Sequence, residues 1–418
     1  MRSICLFLFC LFVVTTPLGV HAQEAPAEVA QDSLSVDLLT MGPGDHPFFK
    51  FGHNAIRVRD TTGRSDAVYN FGTFSFDSDT LIQDFFKGRL EYWLSRESMT
   101  RTVYHYSAEE RSLLAQHLRL TPAERQALKQ QLEINALPEN RAYKYDYFFD
   151  NCSTRVRDAI DRVTNGQLHE AMRGPASQSL RSHALRVTSD YFLEYLVLSI
   201  GLGPLVDKPY TAWEETFLPE MLTAGIRNAK VKAQDGSLQP LVASEEMLLE
   251  HTDTQLKKPP QWASRFCLAG WCVGLLLVGL ARLAYRTRAA SIVLGLVLAV
   301  GGLVIGLLGL ALLLLWPSTD HVVAYRNQNL LLLSPLALAL FWYGIRIVAR
   351  GVVAVSALRR LAMALVISSL LALLLKVLPL EWQDNMTLLV FFLPCWFGLW
   401  VAAMAAYRFP VPPSAEQP

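Results

Sequence analysis

The fold class predicted by this sequence is an α+β exported domain followed by a bundle of five transmembrane helices. Three observations predict it: charge is unevenly distributed, the chain starts like an exported protein, and strand-like segments precede helical ones. Of 418 residues, 52% are hydrophobic and 18% charged, against about 25% charged in average soluble domains. Residues 1–262 hold 60 of the 75 Asp, Glu, Lys and Arg side chains, and residues 263–418 hold only 15. The chain therefore combines a water-soluble part with a membrane part. A net charge of +1, without a basic stripe interleaved with aromatics, gives no reason to expect a nucleic-acid partner. No Gly-rich phosphate loop, dinucleotide fingerprint or metal-spaced His/Cys set occurs, so no cofactor and no metal are expected.

Met1-Arg2-Ser3, an apolar run from Ile4 to about Val14, and Val20-His21-Ala22 form a secretory signal cut after Ala22. An uncleaved anchor helix is the alternative, although the run is short for a span. Residues 23–32 read as a polar, flexible lead-in, and residues 33–262 as the exported domain. Residues 263–410 carry apolar stretches at about 265–284, 291–316, 328–348, 361–380 and 386–406, each long enough to cross the hydrocarbon core. Arg282, Arg286 and Arg288 mark the first connection, and Arg346, Arg350, Arg359 and Arg360 the third. Positive loops stay cytoplasmic. That puts residues 23–262 outside and the C-terminal tail, 411–418, inside. No Asp, Glu or His lies deep in a span, which argues against an ion pathway.

In the exported domain, alternation predicts strands at about 33–41, 53–59 and 67–74, and a further alternating run over Met99–Tyr106. Asp60-Thr61-Thr62-Gly63 is turn chemistry, so the second and third strands form a hairpin. Thr121-Pro122-Ala123-Glu124 is a capping box with Pro at the first helical position. Cys152 to Thr164 reads as a helix capped by Asp150 or Asn151 and stopped at Asn165-Gly166. Further helices are expected over Asp190–Ile200 and from the capping box Thr211-Ala212-Trp213-Glu214.

Of six cysteines, Cys5 and Cys10 leave with the signal and Cys267, Cys272 and Cys395 lie in spans, so Cys152 is the one thiol of the exported domain. A solitary thiol in an oxidising compartment is either a buried small hydrophobe or a reactive group. The surrounding Tyr145-Asp146-Tyr147-Phe148-Phe149-Asp150-Asn151-Cys152-Ser153-Thr154-Arg155 puts it in the first turn of a helix, where the dipole favours the thiolate. The same first-turn N–H groups are expected to hold an oxyanion, with Arg155 and Arg157 adding positive potential. A thiolate needs a base. His53 stands at the start of a strand after Gly52, on the face opposite Ile56 and Val58; His46 and His105 are rivals that no local pattern singles out. Asn70 or Tyr69, on the neighbouring strand, would orient the imidazole, with Asn70 favoured. Asp146 and Asp150 would hold the loop before the thiol.

Three segments carry a family resemblance: Gly42-Pro43-Gly44-Asp45 through Phe51-Gly52-His53-Asn54-Ala55-Ile56-Arg57-Val58, then Tyr69-Asn70-Phe71-Gly72-Thr73-Phe74, then Tyr145 to Arg155. Together they resemble the N-terminal periplasmic domain of the Lnb-type lipoprotein N-acyltransferases, over most of 33–230. Asn327-Gln328-Asn329-Leu330, before a span with Pro335, resembles that family less specifically. More distantly, a strand His followed by Asn-Cys opening a helix is similar to permuted papain-like folds, including lipid acyltransferases of the lecithin–retinol type.

The resemblance implies a bacterial inner-membrane enzyme with its catalytic domain in the periplasm. Cys152 would take an acyl chain from a phospholipid as a thioester and pass it to the N-terminal amine of a lipoprotein, with His53 moving the protons. Asn327 and Asn329, on the outer side, would meet lipid head groups or merely cap the third span. Two other readings fit a Cys–His pair: a cysteine hydrolase acting on peptidoglycan or lipid, and a membrane-anchored binding module with an inert thiol.

Overall fold

The computed structural model describes residues 33–46, 49–75, 79–233, 235–251, 262–351 and 356–408. The expected signal, lead-in and C-terminal tail lie outside the described residues. The polar part is built on a seven-stranded antiparallel sheet in the order β6-β4-β3-β2-β1-β5-β9. Its strands are β1 (Leu34–Met41), β2 (His53–Asp60), β3 (Asp66–Thr73), β4 (Glu91–Ser98), β5 (Leu113–Leu118), β6 (Ala142–Lys144) and β9 (Val242–Leu249). A two-stranded ribbon pairs β7 (Lys230–Lys232) with β8 (Leu238–Pro240).

The helices among and after these strands are α1 (Leu81–Lys87), α2 (Met99–Ala108), α3 (Pro122–Asn135), α4 (Cys152–Val163), α5 (Gln167–Ala171), α6 (Leu180–Val187), α7 (Phe192–Gly201), α8 (Ala212–Glu215) and α9 (Pro219–Asn228). The β2–β3 hairpin closes through Asp60, whose carboxylate accepts the Thr62 N–H at 2.9 Å, and Gly63, at φ +82°. One sheet face, with Val36, Leu38, Ile56, Val58 and Tyr69, packs on α3, α4 and α9. The other, with Leu39, Met41, Ala55 and Val68, packs on α2.

The run Met99–Tyr106 is helical, not extended. Ser98 ends β4 and caps α2 by accepting the Arg101 N–H, and the buried residues Met99, Thr102 and Tyr106 recur at helical spacing. The alternation of small polar and apolar residues there is a surface pattern that the cap overrides.

The apolar third contains α10 (Trp262–Ala284), α11 (Arg288–Ser318), α12 (Leu338–Arg350), α13 (Ser356–Leu374) and α14 (Met386–Arg408). Among the described residues, four of these helices are long and apolar enough to cross a membrane. The third expected stretch is not one continuous helix. It is a pair, Val322–Leu331 and Pro335–Arg350, bent by 50°. Ser334 is extended and caps the segment after it, as the residue before a proline must leave the helical region. Close helix approach comes from glycine: Gly270 and Gly274 of α10 face the backbone of Phe391 and Pro394 of α14, and Gly295 of α11 faces Gly344 of α12.

Two polar joints fasten the sheet-bearing part to this bundle. At the first, Asn327 Nδ2 donates to the carbonyls of Ile200 (2.8 Å) and Gly201 (3.0 Å), and Asn329 Nδ2 to those of Ser199 (2.9 Å) and Ile200 (2.9 Å). These are the carbonyls that the last turn of α7 leaves without intrahelical partners. Gln383 and Asn385, just before α14, complete the joint by donating to Asn327 Oδ1 (3.1 Å) and Asn329 Oδ1 (2.7 Å). Asn327 and Asn329 are therefore buried, and their carboxamides are spent on protein. Of the two expectations, head-group contact gives way to this clasp of the α7 terminus, while Asn327 also caps Gln328–Leu331 by accepting the Asn329 N–H at 2.9 Å. At the second joint, Thr319 and His321 bond the carbonyls of Phe86 and Phe85 at 2.7 Å each, and Asp320 takes Arg89 at 3.0 Å and Lys144 at 2.5 Å.

Candidate active site

Asn151 builds the site's foundation. Its extended backbone ends the preceding loop, and its Oδ1 accepts the N–H groups of Ser153 (2.9 Å) and Thr154 (3.0 Å). Its Nδ2 donates to the carbonyls of Tyr147 (2.8 Å) and Phe217 (2.9 Å), so the buried carboxamide is fully used. Asn151, rather than Asp150, is the cap. Cys152 is consequently the first helical residue of α4, and is buried at 5% exposure.

Asp146 shapes the loop before it. Its carboxylate accepts the N–H groups of Phe148 and Phe149, and its backbone bridges Asp150. Asp150 holds Arg155 through two bonds of 2.6 and 2.8 Å, and the guanidinium lies over the Tyr143 ring. Arg157 pairs with Asp158 and stacks on Trp213. Each arginine is thus paired with a carboxylate of its own, Arg155 with Asp150 and Arg157 with Asp158. The N–H groups of Ser153 and Thr154 are likewise committed to Asn151, so they are not free for an oxyanion.

His53 opens β2 on the Ala55 face of the sheet. Its Nε2 bonds Asn70 Oδ1 from β3, which leaves Nδ1 for the thiol. Tyr69, on the other face, is buried in the main core at 1% exposure beside Arg96. Of the two candidates, Asn70 meets His53 and Tyr69 does not. His105 is paired with Glu109 at 3.2 Å, and His46 packs near Phe49. His53 is the histidine that acts on Cys152.

Two further residues complete the cluster, and a third fixes it. Gly72 lies where β3 shifts register between Asn70 and Thr73, at φ +87°. A Cβ there would stand 3.5 Å from Cys152 Cβ, 3.6 Å from the Tyr145 ring and 3.7 Å from His53 Cε1. The thiol, imidazole and phenol thus converge on the space a side chain would fill. Tyr145 hydrogen-bonds the Cys152 side chain and stacks on Tyr92, ring centroids 4.0 Å apart. Asn54 donates its backbone N–H to the sulfur. Its side chain accepts the Ser153 hydroxyl at 2.8 Å and reaches Thr40 at 2.9 Å, tying α4 to β1 and β2. Gly72 and Tyr145 both stand inside sequence segments already quoted, but nothing local marks a tyrosine among five neighbouring aromatics as the one that reaches a sulfur.

Burial alone would raise the Cys152 pKa. The charge and hydrogen bond of His53 outweigh it, helped by the Asn54 N–H and Tyr145, and hold the thiol below its usual value. Burial pulls His53 down, but Cys152 and then Asn70 raise it above the ordinary imidazole value, with Arg111 opposing. Each partner favours the other's charge, so the pair is biased toward thiolate and imidazolium. Burial pushes the phenols of Tyr145 and Tyr143 upward, so Tyr145 remains a neutral donor. Among the described residues no cluster of His, Cys, Asp and Glu has the arrangement of a metal site.

A low-pKa thiol opening a helix, a strand histidine oriented by a carboxamide, and a bundle clasped beneath them define the class: a membrane-borne protein with a cysteine–histidine site. Residues 22–184 match the family described as the Lnb N-terminal periplasmic domain, which supports an Lnb-type assignment for the sheet-bearing part of the chain. The match contains Cys152, His53 and Asn70. No curated protein and no solved structure matches the chain. With a periplasmic domain and four long apolar helices, this is a multi-pass membrane protein.

Proposed function

We propose that this protein is a thiol-dependent N-acyltransferase of lipoprotein maturation, with Cys152 as nucleophile, His53 as base and acid, and Asn70 as the group that orients His53. Asp146, Asp150, Asn151 and Arg155 support the loop and helix that carry the thiol. The observation that carries this reading is the buried Cys152–His53–Asn70 chain, in an Lnb periplasmic domain clasped to lipid-facing helices. Residues 33–262 form the catalytic part in this reading, and 263–410 the membrane part. The bent pair counts as the fifth span, and the C-terminus is cytoplasmic. The order of a strand histidine before a helix-opening cysteine also favours a permuted papain-like arrangement.

His53 takes the Cys152 proton. The thiolate attacks an ester carbonyl of a phospholipid, the C–O bond breaks, and the imidazolium protonates the departing lysophospholipid oxygen. A thioester remains on Cys152. The α-amine of a lipoprotein's lipidated N-terminal cysteine then attacks, the C–S bond breaks, and the amine proton passes through His53 to sulfur. Ester to thioester is nearly balanced and thioester to amide is downhill, so no energy-rich co-reactant is needed. We assign oxyanion stabilisation to the neutral Tyr145 hydroxyl, because the helix N–H groups of Ser153 and Thr154 are occupied. The buried site limits water at the thioester. Tethering to the bundle confines both lipid-tailed substrates and the thiol to one surface, raising effective concentration.

Full-length protein incubated with phospholipid is expected to carry a hydroxylamine-sensitive acyl adduct on Cys152, and a lipoprotein N-terminal peptide is expected to gain one acyl chain by mass spectrometry. Free fatty acid as sole product would replace transfer by hydrolysis. Full complementation by folded Cys152→Ala and His53→Ala variants would replace catalysis by binding.

A further inference from the structure

Helix α7 (Phe192–Gly201) has an apolar surface nearly all round, and three of its stripes meet different surroundings. Leu198 packs against the core of the sheet-bearing part, together with Leu180, Val206 and Phe217. Glu194, its one charged residue, is four residues away on the same stripe and half-buried. Leu196 and Ile200 pack against the core of the bundle. The third stripe is uncovered: Phe192 is 49% exposed, Leu193 71% and Val197 59%. A helix that is apolar on every side is stable where all sides are covered by apolar matter.

Both ends of α7 are fixed to the ends of the apolar helices that face the periplasmic domain. At its start, Phe192 meets Trp262 and Phe266 in the first turns of α10, with ring centroids 5.6 and 6.3 Å away. At its end, the Ser199, Ile200 and Gly201 carbonyls are held by Asn327 and Asn329. Those asparagines are in turn bonded by Gln383 and Asn385, immediately before α14. The helix therefore runs across the periplasmic ends of the bundle. Farther along α10, Leu268, Trp271 and Leu275 are exposed as well.

We infer that α7 is an interfacial helix lying in the outer leaflet, with Phe192, Leu193 and Val197 inserted among lipid acyl chains. It is a second mode of membrane contact beside the spans: a segment of the periplasmic domain itself is sunk into the bilayer surface. Lipid is the occupant because both ends of α7 are held at the domain-facing ends of apolar, membrane-crossing helices, which sets the stripe at the level of the bilayer surface. The inference does not depend on the thiol chemistry.

The test uses full-length protein in vesicles of phosphatidylethanolamine and phosphatidylglycerol, with the photoreactive residue p-benzoylphenylalanine placed singly at position 193, 197 or 104. Tyr104 of α2, 77% exposed, is the apolar control outside the inferred contact. Photolysis is expected to add the mass of one phospholipid at 193 and 197, at about tenfold or more the yield at 104. The same yields are expected in a Cys152→Ser background, so failure of acyl transfer and failure of this inference are distinguishable. Cross-links from 193 and 197 to residues 1–32, or to a second copy, would overturn the inference. Lipid adducts no higher than at 104 would also overturn it. A Leu193→Gln, Val197→Gln double variant provides a second reading. It is expected to speed amide exchange in α7 at least tenfold in vesicles, and unchanged exchange would count against lipid insertion.

Discussion

Replacing Asn70 by alanine removes the acceptor of the His53 Nε2–H bond and leaves the Cys152–His53 contact in place. The bond is charge-assisted when the imidazole is protonated, and such bonds contribute about 1.5–3 kcal/mol. The neutral imidazole keeps a weaker bond of about 0.5–1.5 kcal/mol, so at about 1.4 kcal/mol per pH unit the loss lowers the imidazolium's pKa by about one unit. The sign follows from the two steps of the pair. On the acid side Cys152 ionises beside an imidazolium that keeps Asn70 before and after, so that limb stays where it is. On the alkaline side the imidazolium itself loses its proton, and Asn70 holds the protonated form more strongly than the neutral one. The pH profile of Cys152 acylation by phospholipid, followed by intact-protein mass spectrometry, is therefore expected to be bell-shaped. Its alkaline limb lies above the ordinary imidazole value, and Asn70→Ala is expected to move it acidward by about one unit. Asn70→Asp, which puts a carboxylate on Nε2, is expected to move it the other way. An alkaline limb that stays fixed in both variants would refute the assignment of Asn70 to His53.

Tyr145→Phe keeps the ring stack on Tyr92 and removes the hydroxyl. Acylation is expected to fall about 10²–10³-fold, while alkylation of Cys152 by iodoacetamide changes less than about tenfold; equal losses in both assays would make Tyr145 a packing residue. Gly72→Ala places a Cβ at φ +87°, among contacts of 3.5–3.7 Å. Those contacts are ordinary, so the cost of about 1–3 kcal/mol comes from the backbone, and thermal unfolding of the full-length protein is expected at lower temperature with acylation reduced. Asn329→Ala leaves the Ser199 carbonyl without its carboxamide donor and the Ile200 carbonyl with Asn327 alone. Amide exchange in residues 196–201 is expected to accelerate while exchange in α4 stays near wild type.

The parts of this molecule that local chemistry decides are legible from its residues. β1, β2 and β3, the hairpin turn, the α3 capping box and the start of α4 each follow from alternation, turn residues or caps within a few positions. So does the pairing of a helix-opening thiol with a strand histidine. Asn70 separates from Tyr69 only through hairpin register: Ile56 faces Tyr69 across β2 and β3, which turns Asn70 to the His53 side. What is not legible depends on partners distant in sequence. Arg155 looks like a source of positive potential until Asp150 and Tyr143 claim it. The helix N–H groups look open until the carboxamide of Asn151, a good cap by any local rule, occupies two of them. α2 hides because its polar face alternates by chance, and β9, running through Glu245 and Glu246, lacks an apolar period.

The polar residues beside the spans show the same dependence and lead to a physical reason for them. Asn327, Asn329, Gln383 and Asn385 are amides at the periplasmic ends of apolar segments, where a head-group role is the first reading of their chemistry. A helix that ends against a bundle has last-turn carbonyls with no water to take them, and each left unpaired costs about 1–3 kcal/mol. Neutral carboxamides meet that need without the desolvation penalty of a buried cation. The clasp also ties to the helix that Cys152 opens. Phe217, whose carbonyl Asn151 holds, sits in the same packed cluster as Leu198 of α7. From the thiol, Tyr145, Tyr147 and His321 follow in edge and tilted contact, with centroid distances of 5.3 and 6.0 Å, down to the second joint. Displacing either joint would therefore move Cys152 relative to the bilayer, which explains why buried hydrogen bonds rather than a flexible tether connect the two parts.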